Sequence, residues 1–144
     1  MRLSVLAAGI VGVAVSATVL AQSGGNSVAK DSRVFEMRTY YTAPGKLEDL
    51  QARFRDHTVK LFEKHGMTNI GYWVPVDEKT GQPSPNTLVY IVAFPSFEAR
   101  TKAWDGFRAD PAWIAARDAS EKNGKIVEKI DSVFLKATDY SAIK

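Results

Sequence analysis

Val34-Phe-Glu-Met-Arg-Thr-Tyr-Tyr-Thr-Ala-Pro-Gly-Lys46 is the stretch that decides the fold. Period-2 alternation in an extended chain puts Glu36, Arg38 and Tyr40 on one side and Phe35, Met37 and Tyr41 on the other. Pro44-Gly45 stops the strand. Residues 46–65 then read as a helix, with Leu47, Leu50, Phe54, Leu61 and Phe62 along one side and Gly66 as its stop.

The same alternation of strand and helix continues outward. Ile70-Gly-Tyr-Trp-Val-Pro-Val76 is aromatic and β-branched and reads as a second strand, ended by Pro75. Residues 77–87 form a loop rich in turn residues, and Leu88-Val-Tyr-Ile-Val-Ala-Phe94 is a third strand. Ser96 caps a second helical region, which Asp110-Pro111 interrupts and restarts and Asn123-Gly124 closes. Ile126 to Ala137 completes the pattern as a fourth strand. The predicted class is α+β, a ferredoxin-like β-α-β-β-α-β domain over residues 34–143. Two helices can cover only one face of a four-stranded sheet, and they leave the other for water, a ligand or a second copy. The polar set Glu36, Arg38 and Tyr40 is expected on that open face.

Upstream of the domain, Met1-Arg2 is followed by an uncharged run, and Val19 and Ala21 stand at −3 and −1 of a cleavage before Gln22. Residues 1–21 therefore read as a secretory signal peptide, which places the protein in the periplasm or outside the cell. The alternative is an uncleaved anchor, since about 20 uncharged residues approach the length of a bilayer span. Gly9, Gly12, Ser16 and Thr18 dilute the run and no basic cluster follows it, so no stable membrane span is expected once the leader is removed. Residues 22–33 are small and polar and read as a flexible linker.

The chain of 144 residues has 19 basic and 16 acidic side chains, a net charge of +3. This mild, scattered excess does not suit nucleic acid. There is no Cys, so disulfides, thiolate catalysis, Cys-ligated zinc, iron–sulfur clusters and covalent haem attachment are excluded. No phosphate-binding glycine loop, dinucleotide fingerprint or Ser-His-Asp order occurs.

The chain resembles the NIPSNAP-domain family. The resemblance rests on Phe35-Glu36-Met37-Arg38-Thr39-Tyr40 with Pro44-Gly45-Lys46, on Gly71-Tyr72-Trp73, on Ser96-Phe97-Glu98-Ala99-Arg100, on Asp110-Pro111-Ala112-Trp113 and on the segment from Phe134 to Ser141. These occur in family order across nearly the whole domain. One departure stands at the third strand, where Asn86 is followed by Ala93-Phe94 with no Trp at the family's spacing. The resemblance implies a dimeric α/β-barrel, in which two sheets face each other and enclose a cavity. It also implies kinship with cofactor-independent monooxygenases and with haem-degrading and other haem proteins, but no settled reaction.

Six residues are candidate ligand contacts: Glu36, Arg38, Tyr40, His57, Tyr72 and Tyr90. Arg38 presents a planar donor fork suited to a carboxylate or enolate, and Tyr40 offers one hydroxyl. Glu36 and Arg38 are equally able to form an ion pair at a dimer interface. His57, three residues after Phe54 and four before Leu61, is placed on or beside the packed side of the first helix, as a haem ligand or general base would be. His65 is placed at the helix end, stabilised there by the helix dipole. The two histidines lie about 12 Å apart on an ideal helix, too far to share a metal ion. Trp104 and Phe107 have core spacing. No catalytic residue, metal or cofactor is nominated by the residues themselves, and haem on His57 is the one cofactor the resemblance opens. The function expected is an exported homodimer that binds a small, partly hydrophobic molecule in a sheet-lined cavity. The alternatives are a cofactor-free or haem-dependent oxidoreductase, or a structural interaction module.

Overall fold

The computed structural model describes residues 27–144. The leader expected at residues 1–21, and the first part of the linker, lie outside the described residues. The elements run β1 (Val34–Thr42), α1 (Leu47–Arg53), a π-helical turn (Phe54–Thr58), α2 (Val59–Lys64), β2 (Thr68–Trp73), β3 (Thr87–Phe94), α3 (Phe97–Ala109), α4 (Pro111–Ser120) and β4 (Val127–Lys136). The four strands form one antiparallel sheet in the order β2-β3-β1-β4. This is the ferredoxin-like arrangement expected from the sequence.

Local chemistry sets the boundaries. Ser96 Oγ accepts from the Ala99 amide at 3.1 Å and starts α3. Asp110 Oδ1 accepts from the Ala112 amide at 2.9 Å, with Pro111 at the first position of α4. Gly66, at φ +80°, ends α2 in a conformation that side chains with a Cβ resist. In the π-helical turn the Val59 amide donates to the carbonyl of Phe54, five residues back, and the Thr58 hydroxyl donates to the Arg53 carbonyl at 3.2 Å.

The helices cover one face of the sheet. Leu50, Phe54 and Phe62 pack from the first helix, and Trp104 and Phe107 from α3, against Leu88, Tyr90, Val92 and Phe94 of β3. Burying each such side chain contributes about 1.5–3 kcal/mol. The core spacing read for Trp104 and Phe107 is thus realised. Register decides which side chains of β1 join this layer. Glu36, Arg38 and Tyr40 stand opposite Val92, Tyr90 and Leu88, on the helix-covered side. This reverses the expected orientation: the polar set lies beneath the helices, and Phe35, with Ala93 and Ile91 beside it, occupies the open face.

Part of the segment read as linker is held in place. Val28 bridges to Thr138, the Ala29 amide donates to the Ala137 carbonyl at 3.0 Å, and Ser32 Oγ accepts from the Ala137 amide at 2.7 Å. Residues on both sides of the domain therefore share one edge.

Candidate functional site

Glu36 is wholly buried in the middle of β1, and its carboxylate accepts four hydrogen bonds. Arg100 Nε and Trp104 Nε1 donate to Oε2 at 2.7 and 2.9 Å. Arg100 Nη2 and Arg38 Nη1 donate to Oε1 at 3.0 and 2.9 Å. Burial alone would raise the Glu36 pKa, but the hydrogen bonds from Arg100 and Trp104 and the nearby charges of Arg38 and Arg100 hold it below the ordinary carboxylate value. Two guanidinium groups share one carboxylate, which leaves the cluster one positive charge in excess.

That excess is directed to one place. The Arg38 guanidinium lies over the Trp104 ring at 4.5 Å and near the Tyr40 ring at 5.5 Å. Among the described residues its Nε is buried without a partner, and only Nη1 makes a hydrogen bond. Its side chain is 14% exposed. On β4 the residues opposite Glu36, Arg38 and Tyr40 are Phe134, Ser132 and Ile130, and the helices leave them open, with Phe134 48% and Ile130 42% exposed. Phe97 meets Phe134 at 5.5 Å, and Arg100 lies 4.9 Å over the Phe134 ring. Between α3 and β4 the edge of Arg38 is thus flanked by exposed apolar side chains. An unspent donor edge at a partly desolvated guanidinium suits a planar oxyanion.

The tyrosines form the adjoining part of the layer. Tyr90 donates to the Tyr40 hydroxyl at 3.0 Å, Tyr72 stacks on Tyr90 at 5.6 Å, and Tyr72 donates to Asn69 Oδ1 at 2.5 Å. Burial pushes both Tyr72 and Tyr90 above the usual tyrosine range, reinforced for Tyr72 by the charge of Glu63 and for Tyr90 by Tyr40. Glu36 and Tyr90 have no accessible surface, so they hold Arg38 and Tyr40 in place. Tyr72 borders a separate small recess of about 190 Å³ with Phe54 and Leu88.

His57 does not join this group. It is exposed and lines a recess between the first helix and α4, so it does not take the expected place on or beside the packed side, towards the sheet or its rim. The physical reason is the π-helical turn: its wider winding gives the inward positions to Phe54 and Thr58 and turns His57 outward. A haem ligated by His57 would thus lie away from Arg38. His65 Nε2 is 2.7 Å from Asp110 Oδ2, which also accepts from Lys64 Nζ at 2.6 Å. The hydrogen bonds from Lys64, His65 and the Ala112 amide keep the Asp110 carboxyl well below its usual range. His65 therefore ties the end of α2 to the start of α4, a structural role.

Sequence reasoning missed Arg100, Trp104, Ser132 and Phe134 as site residues. The available signal was the four-residue spacing of Arg100 and Trp104, which places both on one helix face. Their common target was not readable, because Glu36 lies more than sixty positions earlier.

Around Phe35 the opposite, open face of the sheet is apolar, while Lys129 and Asp131 pair at 2.8 Å towards its other end. A recess of about 350 Å³ there is lined by Phe35, Ile70, Ile91, Leu135 and Ile143, among others. Trp73, Val133 and Leu135 are exposed around it. Among the described residues no cluster of three or more His, Asp or Glu is arranged to hold a metal ion. Among the same residues no helix is long and apolar enough to cross a membrane.

An antiparallel ferredoxin-like sheet with helices on one side and a Glu36-Arg38-Tyr40 strand at its centre defines a class of small α+β domains. The chain belongs to the NIPSNAP family, whose pattern it matches over residues 35–142. No curated protein matches it. Among solved structures, a NIPSNAP family protein with unknown function from Agrobacterium tumefaciens superposes with a TM-score of 0.68 at 20% identity, covering 82% of this chain and 99% of that one. A NIPSNAP-like domain protein from Burkholderia xenovorans superposes with a TM-score of 0.64 at 16% identity, covering 77% and 90%. SnoaB, a cofactor-independent oxygenase from Streptomyces nogalater, superposes with a TM-score of 0.50 at 12% identity, covering 77% and 98%. At these identities the likeness is one of fold.

Proposed function

We propose that this NIPSNAP protein is an exported homodimer that binds a small, partly hydrophobic anion, a carboxylate or an enolate, at the Arg38 edge between α3 and β4. The observation that carries the reading is the sharing of Glu36 by Arg38 and Arg100, which leaves one guanidinium edge without a counter-charge beside Ile130 and Phe134. Arg38 holds the oxyanion, Tyr40 flanks it, and the apolar side chains beside it take the body of the ligand. The apolar part of the open face supports pairing of two copies sheet to sheet, and residues 1–21 support export.

Benzoate and its neutral counterpart benzyl alcohol test the binding step. Benzoate should shift the Trp104 indole N–H resonance in a saturable way and benzyl alcohol should not. Arg38→Met should remove the shift. A benzoate response that survives Arg38→Met, or that benzyl alcohol reproduces, would refute the assignment.

A second reading is a cofactor-independent oxygenase at the same place. Its support is the fold shared with SnoaB, together with the suitability of Arg38 for an enolate oxygen. Oxygen uptake with enolisable aromatic ketones, lost in Arg38→Met, would select it over simple binding. No uptake by the unaltered protein would remove it.

A further inference from the structure

The outer surface of the helical layer holds a polar recess, independent of the Arg38 site. It occupies about 390 Å³ between the π-helical turn and α4, a size within the range of small-ligand sites. At its floor lies Arg53, whose side chain is only 4% exposed. Arg53 Nη1 donates to Ser120 Oγ and to Glu121 Oε1, each at 3.2 Å, and the guanidinium rests 5.2 Å from the Trp113 ring. Among the described residues Nε is buried and unpaired, and Nη2 makes no hydrogen bond. The fork is thus fixed on one side and unspent on the other.

The rim carries the opposite charge. Asp49 and Asp56 line the recess about two helical turns apart on the first helix, both exposed. Asp49 is paired with Lys46 at 2.9 Å, while Asp56 has no ion-pair partner among the described residues. The walls between floor and rim are Ala52, Ala116 and Ala119. The local winding matters too. The π-helical turn begins directly after Arg53, which is buried, and carries the exposed Asp56, and such turns recur at functional sites.

From this arrangement we infer that the recess binds a small zwitterion, with its carboxylate on Arg53, its ammonium on Asp56 and a short aliphatic body against the alanines. An ion with only one of these charges satisfies half the site: a lone carboxylate meets the rim acids, and a lone ammonium meets the buried guanidinium. Complementary charges at both ends favour the zwitterion over either.

Titration of the full chain with L-valine, followed by amide and side-chain resonances of residues 49–57 and 116–123, tests the inference. Isovalerate and isobutylamine, which lack the ammonium and the carboxylate respectively, serve as half-probes. L-valine is expected to bind at these residues at least about tenfold more tightly than either half-probe, since each charge-assisted contact is worth that much or more. Asp56→Asn should weaken L-valine about tenfold and should strengthen isovalerate, which no longer meets that rim charge. Ala119→Trp, at an exposed position that the fold does not depend on, should abolish all binding while the far-ultraviolet circular dichroism is retained. Isobutylamine binding as tightly as L-valine would show an acidic patch only and overturn the inference. Absence of L-valine shifts at these residues would overturn it equally, and neither result bears on benzoate at Arg38.

Discussion

Trp104 Nε1 of α3 donates to Glu36 Oε2 of β1 at 2.9 Å, in a site with no access to water. One indole thus joins the helical layer to the central strand and faces the same carboxylate that holds Arg38 and Arg100. Removal of the carboxylate charge leaves two partly buried guanidiniums uncompensated. Glu36→Gln should destabilise the protein by about 3–5 kcal/mol in urea unfolding, and Trp104→Phe by about 1.5–3 kcal/mol through loss of one hydrogen bond to a charged group. Equal small effects for both would contradict the charge-sharing arrangement.

The Glu36 pKa is lowered in the folded chain, so its contribution to stability is present above the unfolded carboxylate value near 4.3 and is lost as pH falls through the folded value. Urea midpoints should therefore fall steeply below about pH 4. That dependence should be shallower in Glu36→Gln, and an identical profile would remove Glu36 as its source.

At alkaline pH the tyrosines act in the opposite sense. Burial raises the pKa of Tyr72 and of Tyr90, so the stability they supply is complete below about pH 10 and is lost as pH rises towards their folded values. In a phenolate absorbance titration, Tyr72→Phe and Tyr90→Phe should each delete a late component.

Pairing through the open sheet face predicts that charge placed there separates the copies. Val133 and Leu135 are exposed, so Val133→Glu or Leu135→Glu should leave the circular dichroism unchanged and reduce the mass found by sedimentation equilibrium to that of one chain. A chain that is already monomeric before substitution would refute the pairing.

Gly106 lies inside α3, where Ala ordinarily stabilises a helix by about 1 kcal/mol. Here a Cβ would meet His65 Nδ1 at 2.8 Å. Gly106→Ala should therefore displace the imidazole from Asp110 and lower the melting temperature, whereas Gly106→Ala in a His65→Ala background should raise it relative to His65→Ala alone.

The order of elements was legible because each is punctuated locally: Pro44-Gly45, Ser96, Asp110-Pro111 and Gly66 act within one turn of where they stand. The facing of β1 was not. Alternation separates Glu36, Arg38 and Tyr40 from Phe35 and Met37, but the sheet's two sides are both partly apolar. Polar side chains look solvent-bound until their partners are known, and Arg100 and Trp104 arrive from another element. His57 failed for a different reason: ideal α-helical spacing was applied across a turn wound i to i+5.

The π-helical turn also acts as a spacer of phase along the first helix. Leu50 and Phe54 before it and Phe62 after it are all buried. Straightening the turn to ordinary α winding at unchanged length would rotate everything after it by about 100°. Phe62 would then swing off β3, and His65 would lose its approach to Asp110. Removing one residue as the turn straightens would cancel that rotation, so the turn takes up one residue more than plain α winding holds and leaves the packing on either side of it in phase.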